Sequence, residues 1–427
     1  MKKPADLLAN KSIQYLLILL LAFVYAVSSH PIYYPDSKGY LEMSFNRSCG
    51  YPLFLALHKM LFGSYFTTAV TFTQVLLCGL ATLFLNDCIR KTVALNKWLS
   101  GIIAIVMMAP VFMGTKLGNT LLSESLAYPL YLAVIGHIFL GMTYRRNWHF
   151  YAAIVLTFVA LTVRGQFLFL IPLLLVGIVL TYHHYLLARN TILLLMSAVA
   201  VPFLAIYTDI IFHKIQHNQA VATPWTGIQI STIPFFVSDE NDATIFETKE
   251  QQDYFRFIYQ KLKEKKLLYS QQPHNSKTIV FFSDHYTEIC NRTLHNNGIE
   301  FFPSTMTKNE KLIANDKITS AMTLPLLKNN FKKWLAIYSA NFIKGFDTSK
   351  HFLLSLLLLI LALAALFKKK TVISKFIVLL ILAVIGNIAL VAIAEAVISR
   401  YTFYNNWVMI AIVLLLFQNT FYARIRE

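Results

Sequence analysis

The chain is predicted to be an all-α polytopic membrane protein of about ten transmembrane helices. Three observations predict it. Of its 427 residues, 56% are hydrophobic and only 14% are charged, with mean hydropathy +0.55; a soluble domain is about 25% charged. Apolar runs of roughly 20 residues, enough to cross about 30 Å of hydrocarbon, recur along the chain. The basic residues between those runs fall on alternate connections, which is the positive-inside pattern.

Spans are placed near 12–29, 66–88, 98–114, 122–142, 149–163, 167–184, 191–212, 351–367, 373–397 and 405–422. The first run follows Met1-Lys2-Lys3. Its length, and the lack of a small-residue cleavage site after it, make it a span rather than a signal peptide. Lys2, Lys3, Lys11, Arg90, Lys91, Lys97, Arg145, Arg146, Arg189, Lys368-Lys369-Lys370, Lys375, Arg424 and Arg426 then lie on the cytoplasmic side, with both termini. This placement assigns the net charge of +17 to topology and to membrane lipid, and excludes nucleic acid as the partner.

Two long segments fall on the other face. The chain divides into an N-terminal transmembrane module, 1–212, an extracytoplasmic domain, 213–350, and a C-terminal transmembrane module, 351–427. In the first loop, 30–65, juxtamembrane helices are expected, with Asp36-Ser37 as the N-cap of a short helix running toward Phe45. In the domain, Gln251 to Leu268 places Phe255, Ile258 and Leu262 on one helical face. Ser320 to Phe346 reads as helical with an interruption at Pro325. Cys78 and Cys88 read as packing residues in a span. Cys49 and Cys290 both lie extracytoplasmically, where a disulfide and two free thiols are both open.

The candidates for chemistry are the charges that topology does not explain. Asp36, Lys38, Lys116, Glu124, Arg164, Glu395 and Arg400 sit at the extracytoplasmic ends of spans or just beyond them. Ionisable groups at such places are costly and mark function. Asp36 is a carboxylate at the membrane surface, suited to general base chemistry. Glu124 opens a span, where it also suits the helix dipole. Arg164 and Arg400 have the planar fork that grips phosphate oxygens, and Lys116 is a third cation of that kind. Glu395, about one turn from Arg400, suits neutralising it. The histidines have no ligand spacing, so no metal is expected. There is no Walker loop, dinucleotide fingerprint or serine-hydrolase elbow, and no cofactor is expected.

Taken in order, these residues resemble the GT-C superfamily of integral membrane glycosyltransferases, which includes protein O-mannosyltransferases and bacterial aminoarabinose transferases. The resemblance rests on four features. They are Asp36-Ser37-Lys38-Gly39-Tyr40 with Gly50-Tyr51-Pro52; Glu124 in Ser-Glu-Ser-Leu; Arg164 before an apolar helix containing Pro172; and Arg400-Tyr401 before the last helix. It covers about the first 175 residues well and the last thirty weakly. It implies a polyprenyl-phosphate-sugar donor, no metal, and a glycan, lipid or protein acceptor. Asp36 would orient or deprotonate the acceptor, assisted by Glu124. Arg164, Arg400 and Lys116 would hold the donor phosphate. Lys38, Tyr40, Tyr51, Glu395 and Tyr401 would position donor or acceptor. Asp36, Glu124, Arg164 and Arg400 are expected to converge on one cavity. The setting expected is a bacterial inner membrane with the site on the periplasmic face.

Two other readings of the sequence are a polymerase or ligase of lipid-linked polysaccharide such as O-antigen, and a transporter or flippase. The ligase would want an Arg/His constellation within the large loop. The transporter would want charges near the bilayer midplane, and the span interiors are nearly free of them.

Overall fold

The computed structural model describes residues 11–273, 277–369 and 371–421. Lys2, Lys3, Lys370, Arg424 and Arg426, which carry part of the topology assignment, lie outside the described residues. Among the described residues the regular structure is helical, with one isolated β-bridge between Ile32 and Thr120. The chain forms two compact units. The first comprises 1–212, 354–387 and 403–427; the second comprises 213–353 and 388–402. Residues 388–402, expected within the C-terminal module, belong to the second unit.

The helices of the first stretch are α1 (Lys11–Ser28), α2 (Pro35–Leu41), α3 (Gly50–Phe62), α4 (Phe66–Val93), α5 (Lys97–Phe112), α6 (Ser123–Tyr144), α7 (Asn147–Val163), α8 (Leu170–Tyr182) and α9 (Arg189–His217). Sequence chemistry sets their ends. Arg90 and Lys91 occupy the last turn of α4, where cations suit the helix dipole. Arg145 closes α6 in the left-handed region, φ 53°, with its N–H bonded to the Gly141 carbonyl at 2.9 Å. In α6, Tyr128, Tyr131 and Phe139 are fully buried, as expected of a helix surrounded by others. By contrast, α9 leaves Phe203, Ile206 and Tyr207 more than half exposed. Apolar surface of that kind requires lipid or a partner.

Among the described residues, seven helices are long and apolar enough to cross a membrane. The expected spans near 12–29, 98–114 and 149–163 correspond to the three shorter apolar helices: Ser12–Ser28, Lys97–Phe112 and Asn147–Val163. At 1.5 Å per residue these reach about 24–26 Å, slightly under the usual hydrocarbon thickness.

One expected boundary in the first loop is corrected. The N-cap of α2 is Tyr34, with Pro35 at the first helical position, so Asp36 lies inside the helix. Proline suits that position because its missing N–H would be unpaired there anyway. Ser37 accepts the Tyr34 N–H at 2.8 Å and donates to the Leu121 carbonyl at 2.9 Å.

The second unit includes α10 (Thr226–Phe236), α11 (Lys249–Glu264), α12 (Lys277–Thr287), α13 (Lys308–Asn329) and α14 (Phe331–Lys344). Its core gathers Phe235, Phe236, Tyr254, Phe255, Ile258, Leu262, Phe282, Leu294 and Met322. Helix α11 buries Phe255, Ile258 and Leu262, along with Tyr254 and Tyr259. The interruption expected at Pro325 is corrected: α13 runs through Pro325, and the break falls at Asn330. Proline costs one backbone bond, which packing can offset. Asn330 instead gives its side chain to Asp242 at 2.6 Å, and Asn329 donates to the other oxygen of the same carboxylate at 2.8 Å.

Helices α15 (Ser349–Lys369), α16 (Val372–Ala394) and α17 (Asn406–Phe421) complete the chain. Leu361 and Phe367 on α15 are largely exposed. The four cysteines are free buried thiols, so no disulfide joins Cys49 to Cys290.

Candidate functional site

Glu124 and Arg164 meet at two helix junctions of the first unit. Glu124 lies in the first turn of α6, and Arg164 is the extended residue that ends α7. Arg164 Nη1 is 3.0 Å from Glu124 Oε1, with side-chain exposures of 15% and 2%. The pair is therefore largely desolvated, and its neighbours must satisfy the remaining polar atoms. Arg164 Nη1 donates to Ser123 Oγ at 3.3 Å, and Nε donates to Gln166 Oε1 at 2.8 Å. Gln166 in turn donates to Asn387 Oδ1 at 2.6 Å. These bonds hold the guanidinium in one plane.

Asp36, on α2, is paired with Arg47 Nη2 at 2.9 Å, and its side chain is 33% exposed. The Arg47 guanidinium lies 4.7 Å from the centre of the Tyr40 ring. It reaches across Gly39, where a Cβ would stand 2.8 Å from Arg47 Nε. A larger residue at that step would push the Arg47 side chain from its place over Tyr40.

Tyr40 joins the two ion pairs. Its hydroxyl is 3.0 Å from Ser123 Oγ. Ser123 has one hydroxyl proton and donates it to Glu124 Oε2 at 3.2 Å, so Tyr40 is the donor to Ser123. Burial, followed by the nearby Glu124 charge, pushes the Tyr40 phenol above its ordinary range, which keeps that proton in place. A path thus runs Asp36–Arg47–Tyr40–Ser123–Glu124/Arg164, in which the Arg47–Tyr40 step is a cation–π contact with the ring face and the others are ion pairs or hydrogen bonds.

The rest of the first loop supports this path. Tyr51 is fully buried, stands edge-on to Tyr40 at 5.1 Å and donates to Gln74 Oε1 at 2.8 Å. Asp209 accepts the Cys49 N–H at 3.0 Å, anchoring the entry to α3. A Cβ on Gly50 would stand 2.7 Å from the Thr162 carbonyl carbon and from the Val163 nitrogen. Backbone cannot swing aside as a side chain can, so Gly50→Ala is expected to destabilise the first unit by about 1–3 kcal/mol. Thermal unfolding of the purified protein checks this, and an unchanged midpoint would contradict the close approach.

Of the predicted site residues in the first unit, Lys38 and Lys116 stay outside the path and its support. Lys38 is 80% exposed and lies 3.8 Å from Glu42. Lys116 is exposed, with φ 48°, in the loop before α6.

Glu395, Arg400 and Tyr401 belong to the second unit. Helix α16 stops at Ala394, so Glu395 lies just past it rather than inside the span. Gln229 donates to the Glu395 carboxylate. Asn341 caps the helix end, donating to the Ala392 and Glu395 carbonyls at 3.1 and 2.8 Å and accepting the Val397 N–H at 2.9 Å. The Arg400 guanidinium is 5.9 Å from the centre of the Tyr401 ring.

Sequence reasoning did not assign Arg47, Ser123, Gln166 or Asn387. Arg47 carried a signal, because it is a cation on the side the topology rule disfavours. The three polar residues carried none. No group of three or more His, Cys, Asp or Glu side chains suited to a metal gathers among the described residues. Compared with protein-family models, curated proteins and solved structures, the chain matches none.

Proposed function

We propose that the chain is an inverting GT-C-type glycosyltransferase that moves a sugar from a polyprenyl-phosphate donor to a cell-envelope acceptor. The observation that carries the proposal is the path through the first unit. It links a part-exposed carboxylate, Asp36, to a rigidly held guanidinium, Arg164, through Arg47, Tyr40 and Ser123. Base and cation are thereby organised by one network, as a displacement at an anomeric carbon requires.

In this reading the chain spans the bacterial inner membrane about ten times, with both termini cytoplasmic and the first loop in the periplasm. Asp36 orients the acceptor hydroxyl and takes its proton as the oxygen attacks the anomeric carbon. The bond from that carbon to the phosphate oxygen breaks, and the electron pair leaves with the lipid phosphate. Arg164 offers a fixed positive field to the departing anion, at little reorganisation cost because Glu124, Ser123 and Gln166 already hold it. Tyr40 and Tyr51 shape the floor of the first loop, and the lipid tail stays in the bilayer.

Purified protein reconstituted with a polyprenyl-phosphate sugar and candidate acceptors tests the proposal. Transfer is expected only with the lipid-phosphate donor, and with inverted anomeric configuration. A nucleotide sugar serving directly, or a product of retained configuration, would overturn it.

A further inference from the structure

Helix α14 presents an unusual ladder of rings. Phe331, Trp334, Tyr338 and Phe342 follow one another along it, with centroids 6.2, 5.1 and 6.2 Å apart and interplanar angles of 22, 3 and 22°. One side of the helix is fixed to its own unit. Ile337 and Asn341 are buried, and Tyr338 and Phe342 pack on Val391, Ala392 and Val397. Toward the N-terminal end of the helix the same stripe is open: Phe331 is 50% and Leu335 41% exposed. Lys332, next to Phe331 on the helix, and Lys328, in the last turn of α13, are also exposed. Phe331 and Leu335, turned outward with Lys332 on the same helix, make a poor face for water.

The C-terminal end of α14 shows where that face lies. Phe352, in the first turn of the apolar helix α15, packs edge-on against Phe342 at 5.8 Å and Phe346 at 5.3 Å. The aromatic ladder therefore continues into the start of a helix long and apolar enough to cross the membrane. Trp and Tyr rings, with an apolar body and a polar tip, favour the level of the lipid headgroups. An amphipathic helix that carries lysines on its polar margin lies in that plane.

We infer that α14 is an interfacial helix whose open face, Phe331 and Leu335, sits in the headgroup–acyl boundary of the bilayer. Lys328 and Lys332 meet lipid phosphates there. The second unit is thus held against the membrane surface by α14 as well as by its chain connections. This inference does not depend on the glycosyltransferase reading.

The test uses full-length protein in liposomes. Leu335→Cys and, separately, Phe331→Cys are labelled with an environment-sensitive fluorophore, and Gln260→Cys, exposed on α11, serves as the reference. The four native cysteines are buried, which directs the label to the new thiol. Nitroxide carried near the top of the acyl chain is expected to quench labels 331 and 335 several-fold more than label 260. Aqueous iodide should show the reverse order. Two outcomes would overturn the inference. One is iodide quenching at 331 and 335 equal to that at 260, with no response to nitroxide lipid. The other is protection from both quenchers, which would mean a protein partner such as a second copy covers the face.

Discussion

Asp36→Asn is expected to abolish most sugar transfer while leaving the protein folded. Asn keeps the shape and can still accept a hydrogen bond from Arg47, so the local geometry survives. What it lacks is the negative charge and the capacity to take a proton. Loss of a positioned general base lowers turnover by about 10²–10⁴-fold. The Asp36–Arg47 pair is partly exposed, and such pairs contribute only about 0–1 kcal/mol to stability. The unfolding midpoint should therefore barely move. Initial rates at saturating donor, measured beside thermal unfolding, separate the two effects. Transfer that survives Asp36→Asn intact would remove Asp36 from its role. Arg47→Met is expected to weaken transfer less, because Arg47 acts by orienting Asp36 and Tyr40.

The second large effect concerns stability. Arg164→Met leaves Glu124, 2% exposed at its side chain, as a buried charge without its cation. Breaking such a pair costs about 3–5 kcal/mol. Ser123 still donates to Glu124, but one hydroxyl cannot replace a guanidinium. Glu124→Gln should cost less, since a neutral amide still offers an acceptor to Arg164. The double variant Glu124→Gln/Arg164→Met removes both charges, and should be clearly more stable than Arg164→Met alone. Thermal unfolding of the purified proteins in detergent measures all three. If the double variant loses as much as the sum of the singles, the two residues are uncoupled and the described network is wrong.

Much of the fold was legible because its main signal is length and apolarity. A helix such as α16 needs only a long, strongly apolar run to be found. The amphipathic helix α11 was legible from Phe255, Ile258 and Leu262 at helical spacing. The break at Asn330 was not, because Pro325 is the louder local signal. Its effect was overridden by a tertiary contact: Asp242, far back in the chain, draws in both Asn329 and Asn330. The site shows the same division. Asp36, Glu124 and Arg164 stood out as charges that topology did not require. Ser123, Gln166 and Asn387 did not, since polar uncharged residues are common at helix ends. Their importance comes from partners distant in sequence, as with Gln166 and Asn387, 221 residues apart. Gly50 was visible as a motif letter, but the reason for it is steric: the end of α7 abuts it with backbone atoms.

The central claim is that lipid-phosphate-dependent sugar transfer takes place on the face of the first loop. The most direct measurement uses sealed vesicles of uniform orientation, with the donor in the bilayer and a membrane-impermeant acceptor outside. Tyr65→Cys, at an exposed position just after α3, reports through an impermeant thiol reagent which face is outward. Transfer is expected when Tyr65→Cys is labelled from outside, and not in vesicles of the opposite orientation. Transfer from the face carrying Arg145 and Arg146, or transfer without the lipid donor, would contradict the account.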